Sequence, residues 1–96
     1  MTKFDRYLKA YFDLSDEFKN LDNETIRELV KGWEQSLKQI EDFVTSKKVT
    51  KSQMVSGLEQ GLREIPEIIC DLPSPIKEQA LLMYNQAVLK TIPELE

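Results

Sequence analysis

Ninety-six residues provide one hydrophobic core and no room for a second, and a chain of this size buries only roughly 60–65% of the surface its unfolded form exposes. With 41% hydrophobic and 31% charged residues, the composition is that of an ordinary folded domain and excludes a disordered or fibrous chain. A formal charge of −4, from 13 basic and 17 acidic side chains, has the wrong sign for gripping a nucleic-acid backbone.

Thr2 to Lys19 reads as a first helix. Phe4, Tyr7, Leu8, Tyr11, Leu14 and Phe18 share one face, and Arg6, Lys9, Asp13 and Glu17 the opposite one. Tyr7 and Tyr11 are expected at the rim of the core, with their hydroxyls in reach of water. The short link Asn20-Leu21-Asp22 predicts antiparallel packing on the next helix. Charges from the third residue onward and the lack of an uninterrupted apolar run argue against a signal peptide. No apolar run approaches the ~18–20 residues needed to span a bilayer.

The stretch Asp22–Ser46 carries the longest apolar stripe: Ile26, Leu29, Val30, Trp33, Leu37, Ile40 and Val44, at steps of three and four. Asp22 is placed to accept hydrogen bonds from the first turn, and Leu21 and Ile26 to staple it. The rest of the chain is expected to organise around this helix and cover its stripe. Lys47, Lys48 and Lys51 follow as the one basic cluster, at the carbonyl end of the helix dipole.

Thr50 and Gln53 form a capping box for a third helix, with Val49 and Met54 as its staple and Met54, Leu58, Leu62 and Ile65 as its stripe. Gly57 and Gly61 stand four apart and predict either a close helix–helix approach or room for a ligand. Pro66 is expected to kink or break this helix, because it removes one backbone hydrogen bond and crowds the preceding turn. Cys70, the single cysteine, excludes an internal disulfide and is expected to behave as a small apolar group. The segment DLPSP forces a turn, after which Ser74 is placed to cap and Pro75 to begin a last helix running to Ile92.

That last helix has two apolar sides. Ile76, Ala80, Met83, Tyr84 and Ala87 make one, and Leu81, Leu82, Val88, Leu89 and Ile92 make a second roughly opposite. A helix apolar nearly all round is central in its fold or covered by another molecule. Leu95-Glu96 resembles a cloning remnant and is given no weight.

Catalytic chemistry is sparse. Without histidine the commonest general base and metal ligand are missing, and the lone cysteine has no imidazole to activate it. All three glycines lie in helical patterns, so no phosphate-cradling loop is present. The acids Asp13, Asp16, Glu17, Glu41 and Asp42 have neither calcium-loop spacing nor a Glu-x-x-His pattern, and read as solvated helix faces. No serine sits in a prosthetic-group attachment motif, and no basic recognition helix follows a tight turn. These residues carry no resemblance to a known family.

The sequence therefore predicts an all-α single domain over residues 1–96. Its four main helices should span 3–19, 23–46, 51–71 and 75–92, packed up and down, the third kinked or broken at Pro66. Trp33, Leu37, Ile40, Tyr11, Phe18, Leu58, Leu62, Ile65, Ile76 and Met83 are the predicted core. The expected function is a non-enzymatic, cytoplasmic protein–protein interaction module of regulator, adaptor or immunity type. It would need no cofactor and no metal, and would bind neither nucleic acid nor membrane. Its expected interface is the outer face Leu81, Leu82, Val88, Leu89 and Ile92, engaging a protein partner or, as a homodimer, a second copy. The alternative is an apolar small molecule held between the last two helices, beside Gly57, Gly61, Ala80 and Ala87.

Overall fold

Three of the helices begin where a short side chain accepts the free amides of the first turn. In the computed structural model, which describes residues 2–95, these are α1 (Lys3–Phe18), α2 (Glu24–Thr45) and α3 (Lys51–Cys70). Thr2 Oγ1 accepts from the Asp5 amide at 3.1 Å and the Asp5 carboxylate accepts from the Thr2 amide at 3.3 Å, a capping box that opens α1. Thr50 and Gln53 do the same for α3, at 3.2 and 2.8 Å, as predicted. The cap of α2 lies one residue later than expected. Asn23 accepts from the Ile26 amide at 3.0 Å, while Asp22 pairs instead with the Arg27 guanidinium. The shorter α4 (Ile76–Tyr84) has no side-chain cap, because Pro75 and not Ser74 stands at the cap position; the Ser74 hydroxyl donates to Glu78 Oε1 at 2.8 Å. One π-helical turn (Asn85–Leu89) and a 3-10 turn (Pro93–Leu95) complete the chain, and no strand occurs among the described residues.

The helix at the centre is α1, not α2. Alone among the helices it is packed by α2, by α3 and by α4 with its π-turn. Phe4, Tyr7, Ala10, Tyr11, Leu14, Ser15 and Phe18 are buried, and the small Ala10 and Ser15 widen the buried sector beyond the aromatic stripe. Tyr7 is wholly buried rather than at the rim of the core. Along α2 only Ile26, Val30 and Leu37 are buried; Leu29, Trp33, Ile40 and Val44 are half-covered. Of the predicted core, Tyr11, Phe18, Leu37, Leu58, Leu62 and Ile65 are buried, and Trp33, Ile40, Ile76 and Met83 line its edge. Leu95, far from being a loose end, packs into the core; Glu96 lies outside the described residues. Cys70 is exposed, not part of the apolar interior.

Helix α3 is continuous through Pro66, with neither the predicted kink nor the predicted break. Proline has no amide to offer the carbonyl one turn back, which belongs to Leu62. The buried Tyr84 hydroxyl supplies the missing donor, 2.9 Å from the Leu62 oxygen. A side chain of α4 thus closes the gap in the hydrogen-bond ladder of α3 and ties the two helices together. Tyr84→Phe should lower stability by about 1–2 kcal/mol, since a buried carbonyl is left unpaired. With Pro66→Ala in place, an amide returns to Leu62, and the same tyrosine change should cost less than about 0.5 kcal/mol. Urea unfolding of the four proteins measures the difference, and equal costs in both backgrounds would show that the tyrosine acts by packing alone.

The π-turn resolves the two-sided apolar pattern of the C-terminal segment. The Lys90 amide donates to the Asn85 carbonyl, a five-residue step at 3.0 Å, before Ile92 returns to a four-residue step onto Val88. One extra residue in a turn rotates everything after it by roughly 100° relative to a straight α-helix. On a regular helix Val88 and Ile92 would stand about 80° and about 120° round from Ala80; the slip draws them onto the core beside Ala80, Tyr84 and Ala87, and both are fully buried.

Candidate functional site

The five residues of the expected C-terminal interface do not form one outer surface. Val88 and Ile92 are at 0% exposure, inside the core. Leu81 and Leu89 are half-buried against it. Leu82 alone stands out, at 58% exposure. The residues expected to leave a ligand gap between the last two helices are also separated. Ala80 and Ala87 are buried, and Gly61 faces Tyr11, whose hydroxyl occupies the place a Cβ would take. Gly57 is turned elsewhere, towards α2.

There α2 and α3 splay over α1 and leave an apolar cleft of about 390 Å³. Its walls are Trp33, Leu37 and Ile40 of α2 and Met54, Gly57 and Leu58 of α3, with Tyr11 at the floor. Trp33 is fixed from beneath. Its indole meets Tyr11 edge-on at 5.6 Å between ring centroids and stacks on Phe18 at 5.8 Å. The Tyr11 phenol is pushed up to about 12, first by its burial and then by the negative charge of Glu64. The folded chain therefore keeps a proton that the unfolded chain releases near pH 10. This contribution to stability is complete below about pH 10 and is lost as the pH rises towards about 12. The unfolding free energy should drop by about 1 kcal/mol between about pH 9 and pH 11, and Tyr11→Phe should remove most of that slope in urea titrations at each pH.

The α2 margin of this cleft carries no charge; on α3, Glu64 stands one turn beyond Gln60, which donates to its carboxylate at 3.2 Å. On α2, Thr25, Leu29, Gly32, Ser36, Gln39 and Phe43 follow at alternating steps of four and three, one continuous side of the helix. On the facing side of α3 stand Gln53, Met54, Gly57 and Gln60. Phe43, at 42% exposure, ends the strip, with the Lys48 ammonium 5.8 Å from its ring centre. A Cβ added at Gly32 or Gly57 would meet nothing within 4 Å, unlike one at Gly61. Each of these two glycines weakens its helix by roughly 1 kcal/mol relative to alanine, and no contact within the chain compensates for it.

Charges crowd the other concave surfaces. A hollow of about 520 Å³ by the start of α2 is walled by Lys19, Glu24, Arg27, Glu28, Lys31 and Glu34, and one of about 320 Å³ against the π-turn by Asp13, Asp16 and Glu17. No cluster of three or more histidine, cysteine, aspartate or glutamate residues among those described is placed to hold a metal ion. Lys51 bonds Asp5 at 3.3 Å and so helps to hold the start of α3 to α1. Lys47 and Lys48 take part in none of the ion pairs among the described residues. The end of α2 is closed by their backbone instead: the Lys48 amide donates to Phe43 O at 2.9 Å and the Lys47 amide to Val44 O at 3.1 Å. Lys47 sits at φ 62°, where glycine is the usual residue.

Comparison with protein-family models, curated proteins and solved structures gives no match. What this surface does has to be argued from its own residues. The sequence pattern places Trp33, Ile40 and Leu58 in the core and offers Gly57 for a close helix approach or for a ligand beside the last helix, not for a cleft against α2. The missed signal was the absence of charge from every position between Thr25 and Phe43 on one side of α2, in a chain that is 31% charged.

Proposed function

We propose that the chain is a non-enzymatic interaction domain that receives an apolar helical segment of a polypeptide in the α2–α3 cleft. The class is the one expected from the sequence; the surface moves from the C-terminal segment to the cleft. The observation that carries the proposal is the half-buried trio Trp33, Ile40 and Met54 beside an uncharged margin on α2. Protein interfaces differ from other surface chiefly in losing charged residues at their centre and gaining aromatic residues and methionine. Gly32 and Gly57 on the two walls leave room for another backbone to come close. No helix among the described residues is long and apolar enough to cross a membrane. We place the protein in the cytoplasm, where an exposed unpaired thiol such as Cys70 persists.

A photo-crosslinking residue at Gln53, on the rim, tests this in the producing cell. Polypeptide adducts should form there and not from the same residue at Glu67. They should disappear when Gly57→Arg closes the mouth of the cleft. Adducts that survive Gly57→Arg, or that form equally from Glu67, would refute the assignment. A volume of about 390 Å³ also suits a small apolar molecule. For that second reading, quenching of Trp33 by a panel of fatty acids and aromatic hydrocarbons should saturate, with no polypeptide adduct at Gln53.

A further inference from the structure

We infer that the occupant of the cleft is a second copy of this chain, whose own α2 lies antiparallel to the first about a two-fold axis beside Ser36. This rests on the cleft being an interaction surface, and it adds the identity of the partner. The uncharged strip of α2 is complementary to itself when reversed. Leu29 and Phe43 stand seven residues either side of Ser36, and Gly32 and Ile40 four. An antiparallel pair centred there sets Phe43 of one copy against Leu29 of the other, and Ile40 against the open backbone of Gly32. Ser36, small and central, meets its own counterpart. Large side chains thus face smaller ones along the seam, as a self-complementary two-fold contact requires.

Charge points to the same arrangement. Two copies carrying −4 each repel one another, and a face without charge is the one by which they approach at least cost. At its ends the register brings together opposite signs. Lys47 and Lys48, in none of the ion pairs among the described residues, stand at the Phe43 end of the strip, and the reversed register sets that end towards the start of the second copy's α2, which carries Glu24 and Glu28. Antiparallel helices also set their dipoles head to tail. The 22 residues of α2 extend about 33 Å, and a contact two helix spacings wide, about 20 Å, covers roughly 600 Å² on each copy. The resulting total of roughly 1,200 Å² is at the lower end of specific interfaces, which sets the expectation of a concentration-dependent dimer.

Light scattering on a sizing column should show the molar mass rising from 11.2 kDa towards twice that value with concentration. Ser36→Glu should raise the dissociation constant about 100-fold or more, through like charges meeting at the axis, with the helical circular dichroism unchanged. In a Cys70→Ser background, oxidised Ser36→Cys should form a disulfide-linked dimer, and Gln35→Cys, one step round the helix, should not. Association that survives Ser36→Glu but is lost in Leu82→Asp would overturn the inference and move self-contact to α4. A strict monomer at about 1 mM, with Ser36→Cys no more cross-linked than Gln35→Cys, would also overturn it. In that case the adducts at Gln53 still decide separately whether the cleft receives a different polypeptide.

Discussion

Val88→Asp should lower the unfolding free energy by more than about 4 kcal/mol at neutral pH, whereas Leu82→Asp should leave it within about 0.5 kcal/mol of the parent. The two residues lie on the same expected face of a straight C-terminal helix. The structure separates them by one π-turn: Val88 is wholly buried among the side chains packed on α1, and Leu82 is the most exposed large apolar residue. A carboxylate at Val88 would have to shed its hydration, or take up a proton, with no cation beside it. The cost exceeds about 4 kcal/mol, against a total stability of about 5–14 kcal/mol for a chain of this size. Far-UV circular dichroism and a urea titration read the result. A Val88→Asp variant as stable as Leu82→Asp would mean that Val88 does not face α1.

The existence of the helices and most of their bounds were legible because each rests on local signals: apolar residues three and four apart, Thr50 with Gln53, and the prolines after Leu72. What was hidden depends on residues far apart in sequence. Pro66 removes one hydrogen bond by its own chemistry, and nothing near it shows that Tyr84, 22 residues away, restores it. The π-turn was hidden for a related reason. Helical phase at 100° per residue places Val88 about 80° and Ile92 about 120° round from Ala80, and only the gain from burying them on α1 justifies the slip that draws them in. The rank of the helices was misjudged because the length of the stripe on α2 outweighed the small residues Ala10 and Ser15, which let α1 be packed from several sides.

The candidate surface was half legible. Trp33, Ile40, Met54 and Gly57 all drew notice, but as interior, since apolar residues at helical spacing are ordinarily covered by their own chain. Here α2 is longer than the surface α1 can cover, so its second row is left at the edge. The same pattern of residues marks a core or a contact surface, and only the splay of α2 from α3 distinguishes them. The uncharged strip needed no structure to be seen, yet it gains meaning once the rows facing α1 have been assigned and the other row is left over.

Gly61→Ala should destabilise the chain by about 1–2 kcal/mol, and Tyr11→Phe should rescue it. A methyl group at Gly61 would overlap the Tyr11 hydroxyl and come within 3.3 Å of the ring carbon that bears it. The tyrosine cannot easily withdraw, since it is nearly fully buried and its ring is held edge-on by Trp33. The strain falls on side chains packed at close to crystal density, for which overfilling costs about 1–3 kcal/mol, while the gain in helix propensity returns about 1 kcal/mol. Without the hydroxyl, the remaining contact at 3.3 Å needs a shift of only a few tenths of an ångström. The alanine should then be close to neutral, giving a coupling of about 1–2 kcal/mol between positions 11 and 61. Gly57→Ala, four residues away on the same helix, meets open space and should stabilise the isolated chain by about 0.5–1 kcal/mol. Urea titrations of the three variants and the double mutant separate a glycine required by the fold from one the fold does not need. If Gly61→Ala proved as stabilising as Gly57→Ala, the Tyr11 phenol would not lie against α3, and the floor of the cleft would have to be redrawn.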